Sequence, residues 1–405
     1  MSGWRLARAV AVTGQLGVVS GVALDAILAR RLQLGDPDGE VRRALACFPV
    51  PGVAERILRR YFVAGGLPAG QPFRPVPRLG LRPNPARDEL TVAGNFVEVY
   101  LAKLGHRGPV GVNYLEKIQL ATPAATFGAM LAGVDYVLMG AGIPAEIPAL
   151  LDRLARGEPG VLTVTVAGAA AGQRHTVGFD PAAMIGAGPL PLFRPRLLAI
   201  VSSAILAAYL TRNSVTTPDG FVLETAVAGG HSAPPRGRLR LSTEGEPVYG
   251  PRDDIDVARV AALGLPFWLA GGYAGVDAVA RARAVGAAGV QVGTAFALCR
   301  ESDIDPEPRR RMIERALAGE LVVRNEPYAS PAGFPFKTVQ LPGTLSDDEV
   351  YAGRARLCDL ATCACPTTAV TARSGTAAQP NPWRSTCARA ARARTPPAAG
   401  ACATV

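Results

Sequence analysis

The chain has 405 residues, 49% of them hydrophobic and 19% charged, with 45 Gly and 35 Pro. That excludes a mini-protein and a disordered chain, and leaves room for one large core or two ordinary ones. The formal net charge is +10, but half of it comes from the five arginines of residues 361–405, a stretch with no acid, so nothing in the body calls for a nucleic-acid partner. The longest uncharged apolar stretch, residues 197–211, is 15 residues long and holds two serines, too short for a membrane span. The N-terminus lacks an apolar segment ending in a cleavage site, so a cytoplasmic location is expected.

In chain order, strand-like apolar runs are expected at 15–21, 109–115, 136–142, 161–167, 197–203, 221–226, 266–272 and 289–296, with helices such as 121–133, 145–156 and 273–285 between them. The runs are continuous rather than alternating, the pattern of parallel strands covered on both faces. Eight such runs fit an α/β fold of the (β/α)8 TIM-barrel type better than a doubly wound sheet, because the early glycine stretch 17–25 lacks the spacing of a dinucleotide fingerprint. Residues 23–105 break the alternation with helix-forming segments and a proline-rich link at 71–87. They are read as a helical insertion that caps or lids the barrel. The expected organisation is therefore a barrel from 1–22 and 106–345, the insertion 23–105, a helical extension 346–360, and a disordered low-complexity tail 361–405.

Two features point to chemistry. Runs 266–272 and 289–296 lie one βα unit apart and end in Ala270-Gly271-Gly272 and Gly293-Thr294-Ala295. In a TIM barrel the loops after the last two strands cradle phosphate, because glycine lets backbone N–H groups approach the anion. A tight turn with no ligand is the plainer alternative. Of the three histidines, His106 precedes a strand and His175 lies in a polar turn, and both are expected to be solvated. His231 follows the run 221–226 behind Gly229-Gly230, at the strand end where barrel catalysis sits, and an imidazole with a pKa of about 6.5 exchanges protons near neutral pH. Glu224 ends the same strand.

Glu224 with Ala228-Gly229-Gly230-His231, Ala270-Gly271-Gly272-Tyr273, Gly293-Thr294-Ala295-Phe296 and Gly111-Val112-Asn113 together resemble the nitronate monooxygenase (2-nitropropane dioxygenase-like) flavoproteins. These are FMN-dependent TIM barrels related to the FMN-dependent enoyl-acyl-carrier-protein reductases. The resemblance covers residues 3–360 and is most specific at 264–275 and 289–298. It implies that Gly271, Gly272, Gly293 and Thr294 hold the FMN phosphate, that Asn113 faces the flavin, and that His231 is the acid/base at the substrate. Glu224, Gly229 and Gly230 join the cofactor-binding set, and Lys117 and Gln119 would reach the isoalloxazine edge. The implied activity is oxidation of alkyl nitronates or nitroalkanes with O2 to carbonyl compounds and nitrite. The alternatives are an enoyl-thioester reductase using NAD(P)H and an inactive or flavin-binding-only remnant. Expected partners are a small-molecule substrate and O2, with no membrane or nucleic acid; a homo-oligomer is compatible.

Two departures from the family pattern bear on the fold. After His231 the chain runs Ser232-Ala233-Pro234-Pro235-Arg236-Gly237 instead of a small residue and Gly, which implies a different loop around the substrate. Family members also begin with a strand ending in Gly-Met-Gly, and this chain starts just past that point. One of the eight runs, with 161–167 the first candidate, is then an excursion outside the barrel, or else the true start lies upstream; without that first strand, runs 15–21 and 289–296 are left with unpaired edges. In the tail, 14 of 45 residues are Ala, and its neighbouring reading frame is compatible with an ordinary family C-terminus, as after one deleted base near Leu360. Cys363-x-Cys365 is accordingly read as no metal site.

Overall fold

Short Val/Ile/Leu-rich runs separated by helical segments pair with one another in chain order. The computed structural model describes residues 2–354 apart from 167–168, 171, 187–191 and 331–332; the tail, its cysteines and the 361–405 boundary lie outside these. The strands are β1 (Gly17–Ser20), β2 (Val110–Leu115), β3 (Tyr136–Gly140), β4 (Gly160–Val164), β5 (His175–Phe179), β6 (Arg196–Val201), β7 (Gly220–Glu224), β8 (Phe267–Ala270), β9 (Gly289–Gln291), β10 (Val323–Glu326) and β11 (Phe336–Val339). Seven of them form one sheet in the order β1-β2-β3-β6-β7-β8-β9. Every ladder in it is parallel.

Strand order that follows chain order, with helices in the crossovers, is the singly wound arrangement of the TIM-barrel class and not the doubly wound one. The sheet has seven strands, and among the described residues no ladder joins β9 back to β1. The run expected at 161–167 is β4, which pairs antiparallel with β5 in a separate two-stranded sheet. It is the excursion that the strand count required, and β1 and β9 are the two edges.

Side chains alternate across each strand, and the packing shows which face is which. Leu138, Leu198, Val222 and Ala270 form an inner cluster with Val18, Tyr136, Ile200 and Trp268. The opposite-facing residues join two outer clusters under the helices: Val112, Val137 and Met139 in one, Ala199, Phe221, Leu223, Phe267 and Leu269 in the other. Sheet faces buried on both sides account for the continuous apolar runs.

Between β1 and β2 the chain forms helices Leu24–Gln33, Glu40–Ala46, Pro51–Tyr61 and Pro85–Lys103. The last starts with a textured signal readable in sequence: Asn84 caps it, its side chain accepting from the Arg87 N–H, and Pro85 occupies the first turn. It is buried nearly all round, packing on helix Thr122–Leu131, where a Cβ on Gly128 would lie 2.2 Å from the Val92 carbonyl oxygen. Only glycine permits that approach. Glu98 on the same helix is 2% exposed; it accepts from the Trp4 N–H at 2.8 Å and from Arg31 at 2.5 Å. The N-terminal helix Trp4–Ala11 and the helix Leu24–Gln33 are thereby fastened to one buried carboxylate.

Candidate active site

All seven strands are parallel, so the loops after their C-terminal ends gather on one side of the sheet. Asn113 on β2 stands opposite Ser20 and Leu138, which puts its side chain on the inner face. Its Oδ1 is buried with no hydrogen-bond partner among the described residues, an acceptor that costs free energy until something donates to it. Glu224 also faces inward, at the end of β7 opposite Ala270. Burial pushes its carboxyl up to about 8.

The loop after β7 brings the other residues together. A Cβ on Gly229 would lie 2.3 Å from the Thr294 hydroxyl oxygen, and one on Gly271 would lie 2.4 Å from that of Thr225. The glycine turns after β8 and β9 therefore press against the histidine loop, and Gly271 and Gly272, with φ of 101° and 75°, adopt a backbone that L side chains rarely take. Gly293 sits before the short helix Thr294–Ala297 with open space where a side chain would be. The segments carrying Gly229, Gly230, Gly271, Gly272, Gly293 and Thr294 thus form one small-residue region in which backbone N–H groups can meet an anion.

His231 is held from the far end of the chain. Strands β10 and β11 form an antiparallel hairpin, and His231 makes an antiparallel bridge to Phe336 of β11. The Ser232 N–H donates to the Pro335 carbonyl and the Lys337 N–H to that of Gly230, both at 2.9 Å. The imidazole meets the Phe336 ring edge-on at 4.8 Å between centroids, and its Nε2 lies 2.5 Å from the Ser330 hydroxyl. Burial lowers the imidazole to about 4, so it is neutral at physiological pH. Lys337 Nζ donates to the Ala226 carbonyl at 2.8 Å, bracing the same loop.

Lys117 and Gln119 occupy a different setting. Lys117 is exposed, with its ammonium 4.9 Å from the centre of the Phe334 ring. Gln119 donates to Glu116 at 2.9 Å and accepts from the Thr165 N–H at 3.2 Å, tying the loop after β2 to the β4–β5 excursion. Phe334 thus touches the loop after β2, and Ser330 and Phe336 touch the loop after β7. The other two histidines are not simply solvated: His106 is fixed by the Ala102 carbonyl at 2.6 Å and the Gly108 N–H at 3.1 Å. His175 belongs to β5, not to a polar turn, and its Nε2 is buried without a partner among the described residues.

The segment from β6 to just past β10 decides the resemblance. Residues 196–328 match the nitronate monooxygenase family model. The match takes in Glu224, Gly229, Gly230, His231, Gly271, Gly272, Gly293 and Thr294. The chain is also 38% identical over 96 residues to a probable nitronate monooxygenase of Bacillus subtilis (strain 168), spanning 24% of this chain and 26% of that protein. Among solved structures, FabK from Thermotoga maritima is similar with a TM-score of 0.41 and 18% identity, over 84% of this chain and 68% of that one. The enoyl reductase domain of MlnA from the macrolactin biosynthesis cluster of Bacillus amyloliquefaciens is similar at 0.37 and 11%, over 65% and 57%.

The nitronate monooxygenase match ends before the residues that sequence reading missed. Ser330, Phe334, Phe336 and Lys337 belong to a hairpin that follows the last strand of the sheet and carries no motif of its own. The only sequence signal was weak: a short Phe-Pro-Phe-Lys-Thr-Val run bounded by glycine and proline.

Proposed function

We propose that this protein is an FMN-dependent oxidoreductase that oxidises alkyl nitronates with O2 to carbonyl compounds and nitrite. The observation that carries the reading is the mutual contact of three loops, Gly229 on Thr294 and Gly271 on Thr225, which joins a glycine-lined anion cradle to the loop bearing His231. The residues fit a flavin mononucleotide. Gly271, Gly272, Gly293 and Thr294 would hold the phosphate through backbone N–H groups and one hydroxyl, and the unpartnered Asn113 Oδ1 would accept from a ring N–H. Bound FMN supplies electron acceptance and reactivity toward O2.

The chain's own residues bind and orient. His231 is neutral, and an imidazole lowered to about 4 is a weak base. That favours a substrate that arrives already ionised, a nitronate, over a neutral nitroalkane whose α-proton must first be removed. With Nε2 set by Ser330, the ring is held in one orientation for hydrogen bonding to the substrate or for transfer of a proton at a ring nitrogen. Phe336 and Ser330 cover one side of the imidazole, where a lower local dielectric strengthens its polar contacts.

The test is a visible absorption spectrum of the purified protein, followed by anaerobic addition of propyl-2-nitronate and, separately, of NADH. A flavin spectrum bleached by the nitronate and not by NADH supports the reading. Bleaching by NADH alone points to a reductase acting on an enoyl thioester, and absence of flavin overturns both.

A further inference from the structure

Glu224 is the only acidic side chain in the seven strands of the sheet, and it stands on the inner face. Its register neighbour is Ala270, which leads on to Gln291 of β9; below it on the same face lie Val222, Trp268 and Leu198. No hydrogen bond or ion pair reaches the carboxyl among the described residues. The titratable groups on the surrounding elements do not supply a counter-charge. On the inner face, Tyr136 of β3 and Arg196 of β6 sit at the opposite end of the sheet, and β1, β2, β8 and β9 present none. Above the strand ends are Glu116 and Lys117 after β2, Arg236, whose guanidinium is bonded to the Ser202 carbonyl just after β6, His231 after β7, Tyr273 after β8, and Lys337 on β11. Glu116 is bonded to Gln119, Lys117 lies over Phe334, His231 is bonded to Ser330, and Lys337 to the Ala226 carbonyl.

We infer that Glu224 is kept as a neutral carboxylic acid and donates a hydrogen bond to an acceptor atom of the flavin, so that cofactor uptake is coupled to one proton. This rests on the flavin reading above. An ionised carboxylate at this half-buried position would face apolar neighbours with neither a donor nor a cation to offset the part of its hydration that it loses. A neutral acid instead offers one O–H, complementary to the Asn113 oxygen that lacks a donor; together they present one donor and one acceptor on the inner face. The neutral form also takes one negative charge off the inner face of the sheet, which reduces repulsion of an anionic substrate. Burial, which pushes the carboxyl up to about 8, places the proton's loss within reach of a titration.

The experiment is FMN binding to the cofactor-stripped protein, followed by flavin fluorescence from about pH 7 to about pH 9.5, where the phosphate keeps a constant charge. The expected affinity is level up to about pH 8 and falls by about tenfold per pH unit beyond it. Glu224→Gln keeps a donor and removes the titration, so its affinity stays level across the range. A level wild-type curve, or a decline that Glu224→Gln leaves unchanged, overturns the inference. If wild-type protein binds no FMN at any pH, the flavin reading fails and the coupling with it. The protonation state is read separately from the infrared carbonyl-stretch band of a neutral carboxyl in the stripped protein: a band present at pH 7 and absent in Glu224→Gln supports the neutral acid, and no such band overturns it.

Discussion

A methyl group on Gly229 would lie 2.3 Å from the Thr294 hydroxyl oxygen, so the loop after β7 and the turn after β9 touch with no space to spare. Gly229→Ala must displace one of them. Overpacking of this kind costs about 1–3 kcal/mol, and if the displaced element is the cradle, FMN affinity falls by about 5- to 150-fold. Thr294→Ala added to Gly229→Ala restores the space, and part of the affinity should return. Fluorescence titration of the two variants checks this; unchanged affinity in Gly229→Ala would mean that the contact does not govern the cradle.

His231 and Glu224 should bend the stability curve in opposite directions. The imidazole, lowered from 6.5 to about 4, contributes stability that is full above pH 6.5 and is lost as the pH falls toward 4, because the unfolded chain binds the proton more readily. The carboxyl, raised from 4.5 to about 8, contributes stability that is full below pH 4.5 and is lost as the pH rises toward 8, because the unfolded chain gives up its proton first. Each slope is at most about 1.4 kcal/mol per pH unit. Thermal melts should show Glu224→Gln gaining on the wild type from pH 5 to 8, and His231→Asn gaining on it as the pH drops below 6.5.

The neutral imidazole also sets the pH profile. With propyl-2-nitronate as substrate, kcat/KM should show no inflection near pH 6.5, since His231 holds no proton there to lose. His231→Ala removes a hydrogen bond to a charged substrate and should lower kcat/KM by about 10- to 100-fold. A limb at pH 6.5 that vanishes in His231→Ala would contradict the buried, neutral state.

Glu98→Ala takes away the acceptor for both the Trp4 N–H and Arg31. Leaving the Trp4 N–H without its buried acceptor, and Arg31 with only Asp303 at 3.6 Å, costs about 3–5 kcal/mol. The expected result is a drop in the urea midpoint with the slope of unfolding unchanged. Flavin binding by the remaining folded protein should be unaltered, since Glu98 belongs to the helices and not to the strand ends.

The strand ends were legible in sequence because their signals are local. Gly271-Gly272 and Gly293-Thr294 each mark a turn by composition, and the apolar runs before them alternate with helical patterns, so winding order could be read directly. The excursion at 161–167 needed the strand count as well as the pattern, since its apolar run looks like any other until its partner β5 is known. The hairpin was not legible: Ser330 reaches His231 across 99 residues, and no periodicity encodes a contact of that range. The neutral state of His231 was missed for the same reason, because its burial comes from the hairpin that covers it, and the strand end alone suggested an ordinary imidazole. His175 misled in the same way, since a polar stretch read as a turn supplies the first residue of β5, whose Nε2 is buried.

Among the described residues the three-residue β9 is laddered to β8 alone, and the turn at Gly293-Thr294 hangs from it. On the proposed reading, a phosphate held between Gly271-Gly272 and Gly293 would also act as a rivet, fastening the last strand to β8. Amide exchange in residues 289–294 should then be the fastest in the sheet when the cradle is empty and slow most on loading, while β2 and β3, laddered on both sides, change little. Occupancy and local order become a single quantity at this edge, and a defect in either would be seen first as the other.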